Sequence, residues 1–144
     1  MNTVIILTDT QPTSLVGAYG NTWAHTPNLD KLANQGIRFD KAYTPCPLCT
    51  PARSAAFTGL MPASNGAWAN ELAPSTAFTP MGKACRDLGM RAALTGKWHL
   101  DGSGYHGNGQ ADGGFEKDYW FDGRNYIEEV GIETHKKHVK AITG

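Results

Sequence analysis

The sequence predicts an α/β fold: a mostly parallel sheet flanked by helices. Three observations carry this. Residues 3–8, Thr-Val-Ile-Ile-Leu-Thr, are a continuous β-branched apolar run without polar alternation, as in a strand buried on both faces. Thr-Pro pairs at 26–27, 50–51 and 79–80 each open a stretch of helically spaced apolar residues. The resulting order of strand, helix, strand, helix, helix, strand favours parallel strands covered by helices.

The elements follow in turn. A polar, glycine-containing stretch from residue 9 to 25 separates the first strand from Thr26-Pro27-Asn28, with Thr as N-cap and Pro at the first helical position. Leu29, Leu32 and Ala33 share a face, and Gly36 suits the stop. Residues 37–43 read as a second strand, after which Pro45 and Pro47 break regular structure. The second helix starts at Thr50-Pro51 and ends at Gly59, and residues 60–78 read as loop. The third runs from Thr79-Pro80 to Gly89 with Met81, Ala84, Cys85 and Leu88 as its apolar face. Residues 90–95 read as a further strand. Seven glycines between residues 101 and 126, interleaved with aromatics, predict a long ordered loop. The tail from 128 to 144 reads as a short helix.

Composition excludes several classes of function. The chain has 144 residues, 40% of them hydrophobic, so a core can form and wholesale disorder is excluded. Thirteen basic and thirteen acidic residues cancel, so no global field draws nucleic acid or an anionic membrane. Val4-Ile5-Ile6-Leu7 is too short for a signal-peptide core or a membrane span. The expected location is therefore the cytoplasm, or the periplasm if a leader has been removed. Cys46, Cys49 and Cys85 are an odd set that builds no disulfide framework and fits a reducing compartment.

Ligands of open α/β sheets bind outside the carboxyl ends of the strands. Asp9 follows the first strand, Lys97 and His99 follow the strand ending near Thr95, and Cys49 lies at a helix mouth after the strand ending near Tyr43. Parallel neighbouring strands would gather them in one crevice. The N–H groups at a helix mouth, with Arg53, Lys97 and His99, would suit a tetrahedral oxyanion such as sulfate or phosphate. Asp9 would be out of place there unless it holds a divalent cation. Plainer readings stand beside these: Asp9 as a loop cap, Arg53 in a structural ion pair, Lys97 on the surface, His99 and Trp98 in packing. Tyr105, Trp120, Phe121 and Asp122 are candidate pocket lining. Cys46-Pro-Leu-Cys49 also reads as a C-x-x-C redox or metal-binding motif.

Cys49-Thr50-Pro51-Ala52-Arg53 resembles the Cys-x-Pro-Ser/Ala-Arg signature of the formylglycine-dependent sulfatases, and the match continues through Phe57-Thr58-Gly59 to Pro62. Ala56 departs from it by being small. Gly96-Lys97-Trp98-His99 resembles the second sulfatase signature, with Met90 and Ala92 departing in the strand before it. Thr26-Pro27-Asn28-Leu29-Asp30 and the opening Ile-Leu-Thr-Asp are similar to the family's N-terminal region.

The resemblance implies an alkaline-phosphatase-like fold and hydrolysis of sulfate esters. It implies that Cys49 is oxidised by a maturation enzyme to formylglycine, whose hydrate attacks sulfur with one hydroxyl and helps expel sulfate with the other. Arg53 would support that group. Lys97 and His99 would bind the sulfate and the nucleophile's oxygen. A calcium ion would be held by Asp9, with the residue at position 49 as a further ligand. The family usually has two successive aspartates where this chain has Asp9-Thr10-Gln11, so Thr10 or Gln11 would have to offer a neutral oxygen instead. The implied substrate is a sulfated small molecule or sugar. Phosphate or phosphonate esters of the same superfamily remain an alternative, as does a non-catalytic remnant. No residue after His99 matches the family's distal metal ligands, its further lysine or its further histidine. The expectation is thus a truncated, N-terminal portion of a larger catalytic domain, weakly active or inactive alone: core segments over 1–100, a glycine and aromatic loop over 101–127, and a tail over 128–144.

Overall fold

The computed structural model describes residues 2–143, which fall into two compact units, 1–43 and 44–144. In the first unit, two 3-10 turns, Thr13–Leu15 and Gly17–Tyr19, precede helix α1, Pro27–Gln35. Thr26 is the N-cap residue and Pro27 opens the helix, as the sequence predicts, but the Thr26 hydroxyl makes no cap bond. It accepts the Gly17 N–H at 2.8 Å and donates to Asp30 Oδ1 at 3.1 Å, while Asp30 Oδ1 also accepts the Ala18 N–H at 2.7 Å. The Thr-Pro-Asn-Leu-Asp segment therefore fastens the preceding turn. A Cβ on Gly17 would lie 2.6 Å from Asp30 Oδ2, so the close approach favours glycine there.

Residues 3–8 and 37–43 form no strand, which corrects the sequence prediction. Val4 is 82% exposed and Ile37 83%, so the apolar runs face away from any core described here. A strand exists only when a neighbour takes up its N–H and C=O groups, and no ladder among the described residues does so for these runs.

The second unit contains helix α2, Cys49–Thr58; a single turn α3, Pro62–Asn65; α4, Met81–Asp87; strand β1, Leu94–Thr95; strand β2, Trp120–Phe121; α5, Gly123–Val130; and α6, Ile132–Thr143. α2 starts one residue before the predicted position and stops at Gly59 in the left-handed conformation. α3 lies in the stretch read as loop. Only Leu94 and Thr95 of the strand predicted over 90–95 pair, in parallel, with Trp120 and Phe121 of the segment read as loop. The Gly96 N–H extends the ladder to the Phe121 carbonyl at 2.8 Å. The tail predicted over 128–144 is the end of α5 followed by α6, broken at Gly131; Gly144 lies outside the described residues.

Leu94, Trp98, Leu100 and Trp120 form the core of this unit, with Phe57, Ala111 and Phe115 packed against it. The Trp98 ring meets Phe57, Trp120 and Phe115 edge-on, with centroids 5.0, 5.6 and 5.7 Å away, and its indole N–H donates to Asp112 Oδ2 at 3.0 Å. Trp98 and Trp120 are thus packing residues. Asp122 is the N-cap of α5, accepting the Arg124 and Asn125 N–H groups in a capping box.

α4 crosses the 113–115 segment at close range. The Lys83 N–H donates to the Gly113 carbonyl at 2.9 Å, and a Cβ on Gly82 would sit 2.7 Å from that oxygen and 2.9 Å from the Phe115 nitrogen. Helix propensity alone makes Gly82→Ala stabilising by about 1 kcal/mol, whereas overpacking against backbone costs about 1–3 kcal/mol. The expected result is net destabilisation, read as a lower urea midpoint; an equal or higher midpoint would show that the crossing is loose.

Candidate active site

Pro51, inside the first turn of α2, is buried, as are Thr50, Arg53 and Ser54, so this helix presents its polar face inward. Buried polar groups must be paired, and these are. The Thr50 hydroxyl donates to the His99 carbonyl at 3.1 Å and accepts the Glu71 N–H at 3.2 Å, while the Thr50 N–H donates to Asn70 Oδ1 at 3.1 Å. Arg53, 7% exposed, donates from Nη1 to the Lys97 carbonyl at 2.7 Å. Ser54 donates to the Pro51 carbonyl at 2.9 Å and accepts from Asn65 Nδ2 at 3.1 Å.

Two of these bonds join α2 to the segment after β1. They place Cys49, first residue of α2 and half-buried, at the same end of the helix as Lys97 and His99. Arg53, the first turn of α2 that begins at Cys49, and residues 97–99 are therefore joined within one unit, whereas Asp9, also placed in the predicted crevice, lies in the other. The cause differs from the prediction: side-chain bonds onto the 97–99 backbone bring them together, and only Lys97 and His99 follow a strand end. The predicted helix-mouth anion site is also reduced. Pro51 has no N–H, and the Thr50 N–H is taken by Asn70.

His99 is 5% exposed and sits at φ +61°, a left-handed conformation that costs about 1–3 kcal/mol outside glycine. Trp98 and Leu100 on either side are both buried in the core, and the local turn lets the chain bury all three. Among the described residues, neither imidazole nitrogen has a hydrogen-bond partner. Burial first, then the nearby Lys97 and Arg53 charges, depress the His99 pKa below its ordinary 6.5, against a smaller opposing pull from Glu71 and Asp101. His99 is thus neutral at pH 7. The Tyr105 ring lies 5.8 Å from that of His99, and the Lys97 ammonium sits 3.8 Å from the Tyr105 centroid, a cation–π contact. Asn70, Glu71 and Tyr105 therefore belong to the site. Only Tyr105 carries a signal in the sequence, an aromatic within the glycine loop.

Asp9, Thr10 and Gln11 belong to the other unit and are exposed, with Thr10 at φ +56°. Among the described residues no three His, Cys, Asp or Glu side chains are grouped to hold a metal ion. A hard cation such as calcium takes about six to eight oxygens, several of them carboxylate. Asp9 with two neutral neighbours does not make that donor set, so the residues here do not by themselves fit the implied ion, and no chemical step is assigned to it. Cys46 and Cys49 are both free thiols.

The sulfatase family model matches residues 1–136 of the chain. The chain belongs to the sulfatase family. It is 45% identical over 129 residues to an uncharacterized sulfatase, YidJ, of Escherichia coli K12, an alignment covering 90% of this chain and 26% of that protein. It is 32% identical over 139 residues to an N-acetylglucosamine-6-O-sulfatase of Bacteroides thetaiotaomicron, covering 89% of this chain and 24% of that one. Against human arylsulfatase A the identity is 37% over 105 residues, covering 69% and 21%. This sulfatase chain thus spans about a quarter of the length of the relatives it matches. No helix among its described residues is long and apolar enough to cross a membrane.

Two outcomes follow from the site geometry. Thr50→Val keeps the shape but leaves the His99 carbonyl without its partner beside a fully buried position and releases the Glu71 N–H. The expected loss is about 1–3 kcal/mol, read by urea unfolding; a loss within error would mean that these groups find other partners. For His99, the unfolded chain takes up its proton at higher pH than the folded chain does. Its contribution to stability is therefore complete above about pH 6.5 and is lost as pH falls from there through the depressed folded value. Acidification from about pH 8 to about 5.5 is expected to destabilise the wild type more than His99→Gln; equal slopes would contradict the assignment.

Proposed function

We propose that this chain supplies the nucleophile and the sulfate-facing side chains of a sulfuric ester hydrolase, as the N-terminal portion of its catalytic domain. The observation that carries the reading is the pair of hydrogen bonds from Thr50 and Arg53 to the carbonyls of His99 and Lys97. They unite the Cys49-Thr50-Pro51-Ala52-Arg53 and Gly96-Lys97-Trp98-His99 segments, which are 44 to 49 residues apart in the pairs that touch.

In this reading Cys49 is converted to formylglycine by a maturation enzyme, and its hydrate supplies the hydroxyl that attacks sulfur. Three further residues of this portion act with it. Lys97 holds a point charge where negative charge builds on the sulfate oxygens, and Arg53 adds a second cation from a buried, fixed position. His99, neutral near pH 7, offers one N–H and one lone pair to the reacting oxygens. The substrate is a sulfated small molecule or sugar.

Mass spectrometry of the Cys49 peptide tests the nucleophile: conversion removes the sulfur with two hydrogens and adds one oxygen, and an unmodified thiol in active protein would overturn it. Cys49→Ala is expected to abolish turnover with the fold intact. Lys97→Ala is expected to lower the rate by about 10²–10³, and an unchanged rate would remove Lys97 from the site. An aryl phosphate turned over as well as an aryl sulfate would move the activity to phosphoester hydrolysis.

A further inference from the structure

We propose that Tyr105 is a positioning residue of the site: its ring face holds the Lys97 ammonium in place for an anion, a role that rests on the hydrolytic reading. Lysine carries its charge at the end of a flexible four-carbon stem. The bond from Arg53 fixes the Lys97 carbonyl, not that stem. Lys97 Nζ lies 3.8 Å from the Tyr105 ring centroid, well inside the ~6 Å over which a ring face attracts a cation. The same ring meets the His99 imidazole at 60°, with centroids 5.8 Å apart. One side chain thus lies against both Lys97 and His99.

Tyr105 is itself held by the start of α5. The Gly107 N–H closes a turn onto the Gly104 carbonyl at 3.3 Å, and the His106 carbonyl inside that turn accepts the Arg124 N–H at 2.7 Å. Gly107 stands at φ +80°, and a Cβ there would lie 2.3 Å from Asp122 Oδ2, so the close approach requires glycine. Two residues on, the Gly109 N–H donates to Asp122 Oδ2 at 3.1 Å and the Gly109 carbonyl accepts from Asn125 Nδ2 at 3.2 Å. The cap of α5 therefore carries the loop, and the loop carries the ring. A phenol suits the task better than an acid would. A carboxylate at this place would pair with the ammonium and compete with an anionic ligand. A ring face attracts the cation yet has no net charge, so the positive charge of Lys97 is not cancelled by its support. Tyr105 is 55% exposed and stands outside the aromatic core, so replacing it opens no cavity there.

The test needs no turnover. In ¹³C-labelled protein the Lys97 ε-methylene signals, identified by their loss in Lys97→Arg, are expected upfield of the ordinary lysine position, because protons over an aromatic face are shielded by its ring current. The shift should persist in Tyr105→Phe and vanish in Tyr105→Leu. Inorganic sulfate, titrated at constant ionic strength, should then bind Tyr105→Leu about three- to tenfold more weakly than wild type and Tyr105→Phe equally well. Unchanged sulfate affinity in Tyr105→Leu would overturn the proposal, as would a loss in Tyr105→Phe as large as in Tyr105→Leu. If Tyr105→Leu fails to fold by circular dichroism, pentafluorophenylalanine at position 105 decides. It keeps the ring shape but reverses the charge distribution of the face, and sulfate affinity equal to that of Tyr105→Phe would overturn the proposal. An ordinary Lys97 signal in wild type that binds sulfate would overturn the positioning role alone. Wild type that binds no sulfate would overturn the hydrolytic reading together with it.

Discussion

The site depends on two buried side chains of α2 gripping the main chain of residues 97 and 99. A neutral buried hydrogen bond contributes about 1 kcal/mol net, and one from a charged donor about 1.5–3 kcal/mol. The larger effect is the penalty for breaking them. A buried guanidinium or threonine hydroxyl without its partner would be left desolvated and unpaired, so the helix and the 97–99 segment are held in one arrangement. Because the grip is on carbonyl oxygens, it fixes the main chain at residues 97 and 99.

The aromatic core acts on the same few residues from the other side. Trp98 is fixed by Phe57, Phe115, Trp120 and the bond to Asp112, and Leu100 is buried beside it. His99 is caught between two core anchors and takes a left-handed conformation. Its imidazole consequently lies out of water beside two cations, which lowers its pKa below the ordinary 6.5. The unpartnered ring nitrogens and the strained backbone are local costs, and sites that bind and react are where such costs are tolerated.

Much of the site was legible in the sequence because its signals are local. The Cys49 to Arg53 signature sits on one helix, and Gly96 to His99 follows a short strand, so spacing along the chain nearly fixes their disposition. Asn70 and Glu71 were not legible. They reach the site through one amide oxygen and one backbone N–H, roles open to many residue types in a loop. The strands predicted over 3–8 and 37–43 were misread for the converse reason. Their composition suits a buried sheet, but strand pairing is a property of two segments, and no described neighbour bonds to them.

By itself, the sequence determined the helices with proline starts and glycine stops, and the family. Each of these is written within a dozen neighbouring positions, where backbone propensity and motif spacing act. Only the tertiary structure decided that Thr50 and Arg53 are the clamps, that Asn70 takes a helix-mouth N–H an anion would otherwise use, and that Trp98 and Trp120 serve the core. These outcomes depend on which distant groups compete for burial and for hydrogen-bond partners. That competition is settled by packing in three dimensions, which the order of residues along a chain does not express.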